Sequence, residues 1–275
     1  MRSAFRRSFL WLGINFWTLA FCAMGNLAQE PGQELPDAPV PMAEAQPSAE
    51  QNVDITWKNL PNRILHDQKE VWLFPVSLVH GKHWVPTLAV VGGTAGLIAA
   101  DPHAMPYFRS HSGNLDDLND VFDGAITNAE IGIIPLGFFV AGKIGHDSYA
   151  TKTGLLAGEA YANATIVTLA VKAVTMRERP SDVAAGAPFN DTFFNRGKSS
   201  VLGSSFPSGH AAEAFSVATV VAYRYRNHRW VSWVVYGFAT AVSLSRVTTL
   251  KHFPSDIFVG AVLGYTTTRF TVLRH

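Results

Sequence analysis

The sequence predicts an all-α protein, a bundle of about six core helices that is either soluble or embedded in a membrane. Apolar segments recur at 85–100, 131–142, 155–174, 211–223, 230–244 and 257–265. They are long, rich in Ala and Leu, and bounded by Pro, Gly or Asp, which favours helix over strand. At 275 residues and 48% hydrophobic content the chain can bury one sizeable core, and no internal repeat divides it into stacked units.

The elements before this bundle read in order. Arg2, Arg6 and Arg7 precede an apolar run over 9–24, with small Ala23 and Gly25 at the spacing of a signal-peptidase site. Residues 1–25 therefore read as a secretory signal, with an uncleaved anchor as the alternative. A lipoprotein site at Cys22 is disfavoured because bulky Phe21 stands where a small residue is wanted. Cleavage after Gly25 removes the single cysteine and three cations, leaving 19 basic against 21 acidic residues and a charge of −2. A near-neutral, cysteine-free exported chain has no disulfide scaffold and lacks the basic excess of nucleic-acid binders.

Residues 26–55 are rich in Pro, Ala and Glu, have no apolar period and read as a disordered linker. Residues 56–275 form the single functional domain. Trp57, Leu60, Ile64, Leu65, Val71, Trp72 and Phe74 mark one or two amphipathic helices ending near Pro75, which either cap the bundle or lie on a membrane surface. Asp116, Asp117, Asp120 and Asp123 alternate with Leu115, Leu118, Val121 and Phe122, a solvated helix face without calcium-loop spacing. His80, His83, His103, His111 and His146 lack paired metal-ligand spacing and read as surface or packing residues.

The chemistry is concentrated in three blocks, each at an end of an apolar segment, so that their charges gather at one end of the bundle. Lys172 and Arg179 stand seven apart, and Pro180 turns the chain at Arg179 so that both side chains converge. Arg177, between them, reads as a surface cation. Ser204 and Ser205 are cap-like, Pro207 suits a first helical turn, and Ser208-Gly209-His210 places a hydroxyl and an accessible backbone amide at a helix start, where N–H groups meet an anion. Arg246 offers a bidentate grip, while Ser245 beside it is the least certain member. His252 and Asp256 are spaced i, i+4, so that the carboxylate accepts a hydrogen bond from one ring nitrogen and leaves the other bare. Three permanent cations, two histidines, a carboxylate and a hydroxyl make a pocket for a phosphoryl group. The joining loop, 181–203, borders that pocket and shapes substrate choice.

The pattern K-x6-R-P, P-S-G-H, S-R-x5-H-x3-D resembles the signature of the type 2 phosphatidic acid phosphatase and vanadium haloperoxidase superfamily, with every fixed position and spacing filled over 172–256. The resemblance implies the helical core shared by acid phosphatases and haloperoxidases, with His252 as nucleophile, His210 as general acid and Asp256 as its orienting carboxylate. Lys172, Arg179, Ser208, Gly209 and Arg246 would bind phosphate. It implies a metal-independent phosphatase domain over 56–275 that acts through a phosphohistidine on a monoester or diphosphate. The favoured substrate is a lipid phosphate of the phosphatidic acid or isoprenyl diphosphate type. No cofactor is expected. A vanadate-dependent haloperoxidase would use the same residues with vanadate bound, and a non-catalytic phosphate- or lipid-binding envelope protein is the third alternative.

The runs are short for membrane spans and carry Glu159, Asn163, Lys172 and Glu213, which suits a soluble bundle. Their order is nevertheless that of membrane-embedded relatives, so periplasmic and integral-membrane placements both stay open. In either, the expected active site faces outside the cytoplasm. The expected partners are a phosphorylated small-molecule or lipid substrate and a membrane, and no nucleic acid.

Overall fold

The computed structural model describes residues 54–112, 124–195 and 200–274, with the backbone alone over 124–130. The expected signal, the linker as far as residue 53, the acidic cluster of Asp116 to Asp123, and Arg196 and Lys198 of the joining loop lie outside the described residues. Seven α-helices and no strand occur among those described. They are α1 Leu60–Val79, α2 Trp84–Ser110, α3 Gly124–Ile144, α4 Ser148–Thr175, α5 Gly209–Arg224, α6 Arg229–Thr248 and α7 Pro254–Phe270, followed by a 3₁₀ turn, Val272–Arg274.

The all-α prediction holds, and α2 to α7 contain the six apolar segments in order. The helices outrun those segments because their ends are polar or carry proline. The 57–84 region forms one helix that continues through Pro75 instead of ending near it. Pro102 and Pro106 sit inside α2, and Pro135 inside α3. Each removes one N–H from the ladder but leaves the flanking turns intact. Where a true stop is needed, other chemistry provides it. Asp147 caps α4 by accepting from the Tyr149 and Ala150 amides at 2.8 and 3.1 Å, and α4 ends where Met176 turns left-handed at φ 42°.

Residues 55–275 make one compact unit around α5, which packs against α3, α4, α6 and α7. Its buried side from Ala211 to Ala222 is mostly Ala and Val, with Glu213, Ser216 and Thr219 among them. These small residues let α7 approach at backbone distance. A Cβ on Gly260 would stand 2.4 Å from the Ser208 carbonyl oxygen, and one on Gly264 would stand 2.1 Å from that of Ala212. The Ser208 amide also donates to the Asp256 carbonyl at 3.0 Å. Helix-to-helix contact thus places the second sequence block directly beside the third.

The outer helices differ. α1 leans on α4 and α2 on α7, and α2 buries only Asp101 and Met105. Trp72, Leu73, Phe74, Val85, Leu88, Val91, Ile133 and Leu136 leave large apolar surface exposed on α1, α2 and α3. Among the described residues two helices, α2 and α4, are long and apolar enough to cross a membrane. The apolar stretch of α4 is more than half buried, that of α2 only 6%.

Candidate active site

Lys172 closes the last turn of α4, is 6% exposed, and donates through Nζ to the Ser204 carbonyl. Because α4 stops at Thr175, Arg177 to Pro180 leave the helix together. The turn expected at Arg179 therefore occurs three residues earlier, at Met176. Arg179 is half-buried and donates through Nη2 to the Leu202 carbonyl at 3.1 Å. Its buried Nε has no hydrogen-bond partner among the described residues. Such a donor costs free energy unless a ligand accepts from it.

Ser208 is the N-cap of α5, accepting from the Ala211 amide, so Pro207 lies just before the cap and not in the first turn. Gly209 opens the helix, where a Cβ would meet only Thr168 at 3.7 Å and Glu213 at 3.9 Å, ordinary contacts. The protein alone gives no steric reason for glycine there. His210 follows, half-buried, with its ring 6.4 Å from that of His252, centroid to centroid.

Arg246 lies in the last turn of α6, 2% exposed, with Nε donating to Ser245 Oγ at 3.2 Å. The Ser245 hydroxyl donates in turn to the Val242 carbonyl at 2.7 Å. The Arg246 carbonyl accepts from the Lys251 and His252 amides and closes a tight turn. His252, 3% exposed, ends that turn.

The His252 and Asp256 contact needs correction. His252 Nδ1 lies 2.7 Å from the Ser205 carbonyl and 3.6 Å from Asp256 Oδ2. A carbonyl only accepts, so Nδ1 carries the proton and Nε2 is the bare nitrogen. The i, i+4 reading fails because His252 precedes the helix: Pro254 is its first residue, and Asp256 turns back to its start. Asp256 Oδ2 accepts from the Phe253 amide at 2.7 Å and Ser205 Oγ at 2.5 Å, while Oδ1 accepts from Arg177 Nη1 at 2.6 Å. Burial first, then the charges of Lys172 and Arg179, lower the His252 pKa to about 4 against the opposing pull of Asp256.

Arg177 overturns its sequence reading more fully. It is no surface cation: 1% exposed, it donates from Nη1 also to Ser255 Oγ at 2.7 Å, from Nη2 to Asp101 Oδ2 at 2.7 Å and from Nε to Thr192 Oγ1 at 3.0 Å. Its guanidinium lies 3.7 Å from the Phe253 ring centroid and 4.4 Å from that of Phe193. Asp101, fully buried, accepts from Ser255 Oγ at 2.5 Å and the Ser255 amide at 3.2 Å. Ser204 and Ser205 are not caps but a buried strap. Ser204 Oγ accepts from the Arg177 amide at 3.1 Å, and the Ser205 amide donates to the Arg177 carbonyl at 2.7 Å. This strap joins Lys172, Arg177, His252 and Asp256.

The expected residues thus come together at the end of the bundle where α4 and α6 stop and α5 and α7 begin. Asp101, Arg177, Ser204, Ser205 and Ser255 are additions. The one available signal was Asp101 itself, a lone carboxylate closing a long apolar run. Within the joining loop, Gly186 to Asn190 line an open pocket of about 670 Å³ with Pro102, His103, Pro106 and Arg109, a lining that includes none of the site residues. Among the described residues no group of three or more His, Cys, Asp or Glu side chains is gathered as a metal site requires.

Residues 153–275 match the PAP2 superfamily, a span that runs from within α4 to the C-terminus and holds all three blocks. The PAP2 likeness thus covers the part of the chain that holds the site. Over 61 residues it is 38% identical to the lipid A 1-phosphatase of Porphyromonas gingivalis, a stretch that covers 22% of this chain and 14% of that protein. The chain therefore matches about a seventh of that relative's length. Among solved structures, the transmembrane PAP2-type phosphatidylglycerolphosphate phosphatase from Bacillus subtilis aligns with a TM-score of 0.40 and 20% identity, over 75% of this chain and 94% of that one.

Proposed function

We propose that this chain is a metal-independent phosphatase of the PAP2 type that hydrolyses a lipid phosphate through a phosphohistidine at His252. The observation that carries it is the fixed tautomer: with Nδ1–H held on the Ser205 carbonyl, the neutral ring presents Nε2 with its lone pair free. The lowered pKa keeps that pair available across the ordinary pH range.

In the first step Nε2 of His252 forms a bond to phosphorus as the bond to the leaving oxygen breaks, and His210 gives that oxygen its proton. In the second, His210 takes a proton from water, whose oxygen attacks phosphorus and returns the electron pair to Nε2. Lys172, Arg179 and Arg246 offset charge on the three equatorial oxygens, the work done by metal ions in many other phosphoryl-transfer sites. The Gly209 amide at the start of α5 joins them, where the absence of a side chain leaves room for an oxygen. The partnerless Nε of Arg179 supports this reading, since an anion would supply its acceptor.

The lipid part of the proposal rests on α2. A helix of 27 residues, about 40 Å long, whose apolar stretch is 6% buried, exposes what acyl chains would cover. The name of the Porphyromonas gingivalis relative, a lipid phosphatase, agrees with this. The favoured placement is an integral membrane protein with the site at the outer, periplasmic face and a phosphatidic acid or isoprenyl diphosphate type of substrate.

The test is a panel of lipid phosphates, isoprenyl diphosphates and soluble monoesters given to the purified full chain in excess EDTA. Hydrolysis should persist and be inhibited by vanadate, and acid-quenched enzyme should carry a base-stable, acid-labile phosphoryl group that is absent from His252→Ala. Hydrolysis only after magnesium or zinc is restored would overturn the electrostatics. Halide oxidation by the vanadate-loaded protein, with no ester hydrolysis, would make it a haloperoxidase instead.

A further inference from the structure

Asp101, Arg177 and Asp256 form a buried ion chain that phosphate binding alone does not require. Burying three charges where apolar packing would be no less stable suggests a task beyond stability. All three guanidinium nitrogens of Arg177 have partners, and its plane is held near the rings of Phe253 and Phe193. It cannot swing without carrying Asp256 along. Asp101 arrives from α2, a helix that otherwise buries only Met105.

The charge balance gives the chain its use. Two carboxylates against one guanidinium leave one negative charge over. In the phosphatase reading, on which this inference rests, neutral His252 gives the Nε2 pair to phosphorus and keeps its Nδ1 proton on Ser205, so the ring becomes a cation as the leaving group departs. The groups around that ring are mostly basic: Lys172 of α4, Arg179 just after it, His210 of α5, and Arg246 of α6, whose carbonyl accepts from the His252 amide. Glu213 of α5 acts on Lys172. Asp256 of α7, 3.6 Å from Nδ1, supplies the compensating charge.

We propose that Asp101 and Arg177 are positioning residues that fix Asp256 and leave one net negative charge beside His252, favouring the cationic ring of the phosphoenzyme. Arg177 alone would cancel the Asp256 charge. Asp101 satisfies the second arm of the guanidinium and restores the balance in favour of the histidine.

The variants to compare are Asp101→Asn, Arg177→Gln and Arg177→Lys, as purified full chains in detergent, with kcat, KM and the pH dependence of kcat/KM measured on a substrate the wild type hydrolyses. Asp101→Asn removes a charge with little change of volume. It should lower kcat about 10–100-fold, the range for groups that orient a reacting residue, with KM within about twofold and an acid limb no higher than that of the wild type. Arg177→Gln leaves two uncompensated carboxylates and should move the acid limb to higher pH. Arg177→Lys keeps the charge without the fork and should bring the limb back. A merely structural role would lower the yield of folded protein without moving the limbs apart. Wild-type kcat in Asp101→Asn, or limbs displaced in the same direction by Asp101→Asn and Arg177→Gln, would overturn the proposal while leaving the phosphatase reading intact. If Arg177→Gln does not accumulate, Asp101→Asn and Arg177→Lys decide it. A wild type that hydrolyses no ester overturns both.

Discussion

Two arginine clusters on buried carboxylates tie an outer helix to the core, and they differ in what lies beyond them. In one, Arg63 of α1 donates through Nε to both oxygens of Glu159 on α4, at 3.0 and 3.1 Å, and through Nη2 to the Val272 carbonyl. Asn163 Nδ2 donates to Asp67 Oδ2, and Gln68 Nε2 to Asn163 Oδ1, both at 2.7 Å. In the other, Arg177 joins α2 to α7 through Asp101 and Asp256. The construction is the same, yet on α4 the nearest site residue to the first cluster is Lys172, nine positions past Asn163 and about 13 Å along the helix. The second cluster ends 3.6 Å from His252. Breaking either should cost stability, and only the second should alter chemistry.

The widest separation is between the endpoint of the second cluster and the arginine of the first. His252→Ala should reduce turnover to background, a loss of about 10⁴-fold or more. Arg63→Gln leaves buried Glu159 without its cationic partner and should lower stability, yet keep kcat per folded molecule within about twofold. Thermal unfolding in detergent and active-site titration would separate the two. Loss of kcat in folded Arg63→Gln would mean that the first cluster also reaches the site.

The next test moves from clusters to the contact that aligns the blocks. At Gly260 any side chain meets the Ser208 carbonyl at 2.4 Å, whereas at Gly158 of α4 a Cβ meets nothing within 4 Å. Gly260→Val should push α5 from α7, costing about 3 kcal/mol or more and at least 10² in kcat/KM, because a displacement of about 1 Å at the reacting groups has that effect. Gly158→Ala should be neutral or gain about 0.5–1 kcal/mol from helix propensity. Equal behaviour of the two would show that the α5 and α7 backbones are not in contact.

The same contrast explains what could be read from the chain before its fold. Apolar runs marked the core helices because a buried stripe is a local pattern. Their ends were understated because Asp101, Pro102 and Pro106 read as a boundary, although α2 runs through all three. The three blocks were legible as one cluster from residue type and spacing. Their wiring was not. Arg177 is buried by Asp101, Thr192, Ser255 and Asp256, up to 79 positions away, and no local pattern in its own segment announces such partners. The His252 to Asp256 bond was misjudged for a local reason: a helical spacing was assumed for a residue that precedes the helix. Ser204 and Ser205 looked like caps, since serine before a helix usually is one, but the true cap is Ser208.

A milder variant asks which atom of the strap matters. Ser205 offers its carbonyl to His252 and its hydroxyl to Asp256. Ser205→Ala keeps the first and loses the second, so kcat should fall only about tenfold, with the phosphohistidine still formed. Near-total loss would assign the tautomer to Asp256 after all and restore the contact expected from spacing.

The smallest effect expected is in the pH profile of the wild type, and it bears directly on the difference between the clusters. Burial, then Lys172 and Arg179, lower the His252 pKa to about 4. A lowered pKa means that the ring is neutral, and so nucleophilic, above about pH 4 and loses activity only as pH falls through that value. The acid limb of kcat/KM should therefore lie near 4 instead of at the ordinary imidazole value of about 6.5. The same shift makes the folded state lose stability as pH falls from about 6.5 to 4, because over that window the unfolded chain binds a proton that the folded one excludes. A limb near 6.5 would mean that Asp256 compensates the ring far more strongly than its 3.6 Å separation and its bond to Arg177 allow. The second cluster would then serve only as a structural tie, like the first.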